Sequence, residues 1–137
     1  MRAGQAALIV LLAAAAGSPA LAKVGTPGLA YFAGAYQRVG RDGARPANLI
    51  DDVVILGLSE GRLSRTGCPG RDMWLVHDPS FDYANRLIGR ADGIPLDCQF
   101  HTAGGERPIL TCAAGDGGLF TLWPLPKDDP AALRGCG

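Results

Sequence analysis

The chain has 137 residues, 47% of them hydrophobic, with 13 basic against 13 acidic side chains. That length allows one domain, and so even a charge balance gives no electrostatic basis for bulk nucleic-acid or anionic-membrane binding. Twenty glycines and ten prolines break the apolar residues into short runs, with no internal repeat or heptad pattern.

Residues 1–22 read as a cleavable secretory signal. Met1 and Arg2 start it, an apolar run follows from Ala6 to Ala16, Gly17-Ser18-Pro19 breaks that run, and Ala20-Leu21-Ala22 supplies a small-x-small cleavage site. The run is about 11 residues long, against roughly 20 needed to cross a bilayer. Residues 23–137 are then expected as one exported domain, periplasmic or extracellular, with no membrane insertion after cleavage. Without Arg2 it carries 12 basic and 13 acidic residues, and only Lys23 and Lys127 of the basic ones are lysine. The arginine, alanine and glycine richness suits a GC-rich bacterial gene.

Eight short strands are predicted, over residues 31–39, 53–58, 62–66, 73–77, 86–90, 96–102, 109–113 and 119–123. The spacing of about ten residues is that of a small antiparallel barrel or sandwich. Ser59-Glu60-Gly61, Ala91-Asp92-Gly93 and Asp116-Gly117-Gly118 are expected as tight hairpin loops. Leu96, Cys98 and Phe100 alternate with Asp97, Gln99 and His101, so the first set faces a core and the second faces water. Val53 to Leu56 is apolar on both faces, which requires cover on both sides.

Two stretches depart from this pattern. Asp78-Pro79 is a helix-start pair, and Phe81, Ala84, Leu87 and Ile88 fall near helical spacing. One helical turn followed by a strand is the reading adopted, with a helix over 79–90 as its alternative. Asp129-Pro130 before residues 131–134 predicts a second capped turn.

Four cysteines, Cys68, Cys98, Cys112 and Cys136, are an even set in an exported chain, which suggests two disulfides. Three pairings are possible. Placing Cys98 opposite Cys112 across a hairpin puts Phe100 opposite Leu110 and Leu96 opposite Ala114, all apolar on one face. Cys68–Cys136 is then the second bond, tying the C-terminal tail to the Gly67–Gly70 loop. These closures contribute about 3 and about 4 kcal/mol on the chain-entropy model.

No residue set specifies chemistry. Cys98-x-x-His101 has ligand-like spacing, but alternation turns the two apart and no second pair completes a tetrahedral site, so no metal or cofactor is expected. His77-Asp78 are strand neighbours on opposite faces, Ser59, Ser64 and Ser80 lie near turns, and no G-x-S-x-G elbow occurs. Asp51-Asp52 and Asp128-Asp129 read as solvated turn residues. Two arginine groups stand out: Arg38, Arg41 and Arg45 around the first long loop, and Arg62, Arg65 and Arg71 around the Cys68 loop. Convergent guanidinium groups can grip a carboxylate or phosphate; otherwise they are ordinary salt-bridged surface. Trp74, Phe100 and Trp123 are core aromatics, or line a ligand cavity if the sheet closes around space. Phe32, Gly34 and Tyr36 resemble the opening strand of lipocalin-like barrels, over five residues that transfer no site.

The expectation is an exported, non-catalytic binding protein. In its first form the partner is another protein, which the domain binds or inhibits through its arginine-bearing loops. In its second the domain is a lipocalin-like carrier of a small apolar ligand. A small secreted enzyme ranks third, and would need His77 or His101 in a cleft beside a carboxylate.

Overall fold

The computed structural model describes residues 27–45, 47–80, 85–102, 107–134 and 136. The leader reading of residues 1–22 therefore lies outside the described residues. Eight antiparallel strands follow one another: β1 (Gly34–Arg41), β2 (Leu49–Ser59), β3 (Arg62–Thr66), β4 (Met73–His77), β5 (Arg86–Ala91), β6 (Ile94–His101), β7 (Ile109–Ala114) and β8 (Leu119–Pro124). Each pairs with its neighbour in sequence, and β1 also pairs with β8, so the sheet closes into a barrel and leaves no free edge. Of the barrel and the sandwich, the barrel is the fold.

Turn chemistry sets the hairpins. Glu60-Gly61 and Asp92-Gly93 are two-residue loops with φ of 53° and 79°, and 49° and 83°. Positive φ at both central positions is the type I′ geometry that matches strand twist. Pro69-Gly70 bends the loop after β3, where Arg71 N–H donates to Cys68 O at 3.2 Å and Gly70 has φ of 80°.

Alternation then sorts the side chains. Tyr36, Val54, Leu56, Leu63, Leu75, Leu87, Cys98, Leu110, Cys112 and Leu122 fill the barrel. Between β6 and β7, Cys98 faces Cys112, Phe100 faces Leu110 and Leu96 faces Ala114, as the apolar pairing requires. Both disulfides are present, Cys98–Cys112 and Cys68–Cys136. Two disulfides fit an oxidising, exported environment.

The two ends of the barrel differ. At the end where β1 starts, a 3-10 turn (Leu29–Phe32) inserts the fully buried Phe32, which meets Phe100 edge-to-face at 4.9 Å and His77 at 6.1 Å. Tyr36 Oη donates to Phe32 O at 2.6 Å and holds the turn there. This corrects the expected first strand: residues 31–33 precede β1, because Phe32 closes the barrel end instead of pairing. A second 3-10 turn (Pro130–Leu133), capped by Asp129 accepting from Ala131 N–H at 2.9 Å, packs on β2. Val53 and Val54 point to opposite faces and are both fully buried, as two-sided cover demands.

Two further departures concern strand limits. β2 begins at Leu49, so Asp51 and Asp52 are strand residues and not turn residues. Asp51 accepts from Gln37 on the outer surface, and Asp52 accepts from Arg38 inside. A helix over 79–90 is excluded for its second half, since Arg86–Ala91 is β5, paired to both neighbours. Pro79 and Ser80 form a turn, and residues 81–84 of the expected helical turn lie outside the described residues.

Candidate functional site

The barrel end opposite Phe32 is hollow. There the inward positions of β5 and β7 are Ala91 and Ala114, which contribute only methyl groups, and a cavity of about 300 Å³ remains. Ile50, Ile94, Leu96 and Phe120 form its apolar wall, and Arg38 lies at its floor. Arg41, at the end of β1, and Asp42, Arg71, Asp92 and Asp116, from the loops at that mouth, form the rim.

The floor is built from three ionised groups inside the barrel. Arg38 donates to Asp52 through Nε at 2.8 Å and Nη2 at 2.7 Å, a bidentate pair set by their direct opposition across β1 and β2. Arg65, from β3, donates through Nη2 to Asp52 at 3.4 Å and to Val53 O at 3.0 Å. Side-chain exposure is 6% for Arg38, 2% for Arg65 and 20% for Asp52. Two cations therefore share one carboxylate, leaving one positive charge in excess. Arg65 Nε is buried with no hydrogen-bond partner. Burial, and then the charge of Arg38, lower the pKa of Arg65 from the ordinary guanidinium value. The Arg38 guanidinium stacks 5.2 Å from the Phe120 ring centroid, which links charged floor to apolar wall.

The rim is locally committed. Arg71 pairs with Asp92 at 3.3 Å, and Asp92 also accepts from Asp72 N–H at 2.8 Å. Asp42 and Asp116 accept from Ala44 and Gly118 N–H at 2.9 and 3.0 Å, each bracing its own loop.

The six arginines singled out in sequence thus separate. Arg38, Arg41 and Arg71 surround the cavity, whereas Arg65 lies behind its floor. Arg45 is exposed in the β1–β2 loop, and Arg62 stacks on the outside over Trp74 at 4.8 Å. The proposed aromatic lining needs correction. Trp74 alternates with the inward Met73 and Leu75 and so faces out, and Trp123, outward between Leu122 and Pro124, is 49% exposed. Phe100 does point inward, but it packs on Phe32 at the closed end.

Sequence reasoning missed Asp52, the alanine pair and the wall residues. Their signal was present in retrospect: an Arg and an Asp at inward registers of adjacent strands, opposite small inward residues. It missed Arg107 too, which stacks 4.9 Å from the Tyr36 ring and donates to Ala35 O at 2.9 Å and to Leu125 O. Burial raises the Tyr36 pKa to about 12 against the opposing pull of Arg107.

The histidines stay apart from the cavity. His77 packs on Phe32 with Nδ1 buried and unpartnered, and His101 is exposed at the end of β6. Asp78, beside His77, accepts from Ser80 N–H at 2.9 Å and Oγ at 2.6 Å, which lowers its pKa, and lies 3.5 Å from Arg86.

On the outer surface, Val39, Leu49, Leu119 and Trp123 are all substantially exposed. Val39 lies opposite Asp51 and Thr121, so the other three are its diagonal neighbours on β2 and β8.

Comparison with protein-family models, curated proteins and solved structures returns no match.

Proposed function

We propose that the protein is an exported, non-catalytic binding protein that holds a small ligand in the mouth of its barrel. The cavity of about 300 Å³ at the open end carries this reading. It lies at the small end of ligand-site volumes, roughly 300–1,000 Å³, and combines an apolar wall with one oriented polar group, the usual composition of such sites. A closed barrel with two disulfides supplies a preformed site, which lowers the ordering cost of binding. The leader-like sequence pattern of residues 1–22 and the two disulfides support export.

Native mass spectrometry of the protein recovered from the exported fraction tests this. The expected result is a non-covalent small-molecule adduct on the wild type that Ala114→Phe, which fills the cavity, removes. An adduct that persists in Ala114→Phe, or bare protein that also fails to bind amphiphile probes, overturns it.

A protein partner is the second reading, favoured by the exposed group of Val39, Leu49, Leu119 and Trp123. Arg38 and Arg65, being inside the barrel, are not available to it as surface contacts. Capture of a specific partner by Ala114→Phe but not by Leu119→Glu favours this reading over the first.

A further inference from the structure

We infer that the ligand is a monoanionic amphiphile of about ten heavy atoms in all, with a carboxylate on Arg38 and an apolar tail against Ile50, Ile94, Leu96 and Phe120; this rests on the cavity reading above. The size follows from volume: about 300 Å³ corresponds to roughly ten water volumes of about 30 Å³.

The charge follows from the floor. Arg38 spends Nε and Nη2 on Asp52, while Nη1, on the other side of the guanidinium plane's fork, has no hydrogen bond to a described residue. Arg38 is also held from behind, by Asp52, and from the side, by the Phe120 ring. The donor is therefore oriented before any ligand arrives, so little rotamer entropy is lost on binding. Arg65 adds the second positive charge without a second carboxylate. A buried excess charge is costly unless paired, and one carboxylate placed beside Arg38 balances the interior. A monoanion matches that excess; a phosphate dianion overshoots it.

The rim does not supply this preference. Its three aspartates and two arginines slightly disfavour an approaching anion, but they stand in solvent, where salt screens them. Selection must come from the floor.

The test compares octanoate, 1-octanol and octylammonium on the oxidised wild-type protein at pH 7, followed by amide chemical shifts. The expected result is saturable octanoate binding at least tenfold tighter than octanol, with no saturable site for octylammonium. Shifts should centre on Arg38, Leu96, Ala114 and Phe120. In Arg38→Gln the octanoate affinity should fall to that of octanol, while octanol binding stays within threefold. If octanol binds the wild type as tightly as octanoate, the anion inference fails and the cavity reading stands. If no probe moves the cavity amides at millimolar concentration, both fail. Octanoate shifts confined to Val39, Leu119 and Trp123 overturn the inference as well. The wild-type comparison decides even if Arg38→Gln does not fold.

Discussion

Replacing Asp52 by asparagine keeps the shape of the side chain and removes its charge. Asp52 accepts from Arg38 at 2.7 and 2.8 Å and from Arg65 at 3.4 Å, and both arginine side chains are at least nine-tenths buried. Breaking a buried pair by neutralising one partner costs about 3–5 kcal/mol, chiefly because the other charge is left uncompensated. Asp52 retains one-fifth of its exposure, so the lower figure applies, about 3 kcal/mol. With an unfolding entropy of about 2.1 cal/mol/K per residue over the about 115 residues of the proposed exported domain, that lowers Tm by about 12 °C. Thermal and urea unfolding followed through Trp74 and Trp123 measures it. Replacing Arg65 by methionine in the Asp52→Asn background should recover about 1 kcal/mol or more, since one stranded cation is then gone. The loss should also persist in high salt, because the pair is shielded from ions. A loss under 1 kcal/mol, or no recovery in the double variant, refutes the view that Asp52 is the carboxylate that holds both buried cations.

Three further outcomes follow from other parts of the barrel. A Cβ on Gly89 would lie 1.7 Å from Trp74 O on the paired strand, so Gly89→Ala should cost about 3 kcal/mol or more by urea unfolding; a normal midpoint contradicts this approach of β4 and β5. Tyr36, raised to about 12 by burial, keeps its proton in the folded state while an unfolded tyrosine loses it near 10. Its contribution is therefore intact below pH 10 and lost as pH rises towards 12, about 1.4 kcal/mol per pH unit and roughly 2–3 kcal/mol in all. Tyr36→Phe should flatten that alkaline slope while lowering stability near pH 7 by about 1 kcal/mol through loss of the bond to Phe32 O; an unchanged slope assigns the effect elsewhere. Glu60 holds φ of 53° in a type I′ turn, so Glu60→Asn should raise stability by about 0.5–1 kcal/mol, and an unmoved urea midpoint contradicts the turn assignment.

Most of the barrel was legible because its signals are local. β3 and β4 have the limits read from Arg62–Thr66 and Met73–His77, since Gly61, Gly67, Gly70 and Pro79 punctuate the chain around them and their inward apolar positions are Leu63, Met73 and Leu75. The β6–β7 register followed from requiring Leu96, Cys98 and Phe100 to meet apolar partners, because a one-residue slip would have buried Asp97 and Gln99. The misreadings share a different cause. Asp51 and Asp52 look like turn residues because hydropathy scores each residue alone, whereas the partners that hold them in β2 are Gln37 and Arg38, fourteen residues away. Residues 31–33 look like a strand start because Tyr31 and Phe32 suit a strand; only closure of the barrel creates the end that Phe32 plugs. Trp74 and Trp123 look like cavity lining by aromatic content alone; alternation along β4 and β8 faces both outward.

The cavity itself lay beyond periodicity for a related reason. A hollow is set by what is missing at inward positions, and Ala91 and Ala114 become informative only after β1 pairs with β8 and every strand's inward set is known. The same closure turns Arg38 from one member of a basic loop into a buried donor, with Asp52 behind it and Phe120 beside it. On an open, solvated sheet face the same Arg–Asp pair would be worth at most about 1 kcal/mol and would select nothing. The proposed selectivity therefore rests on burial: removing water from around two arginines and one aspartate makes their unequal count matter.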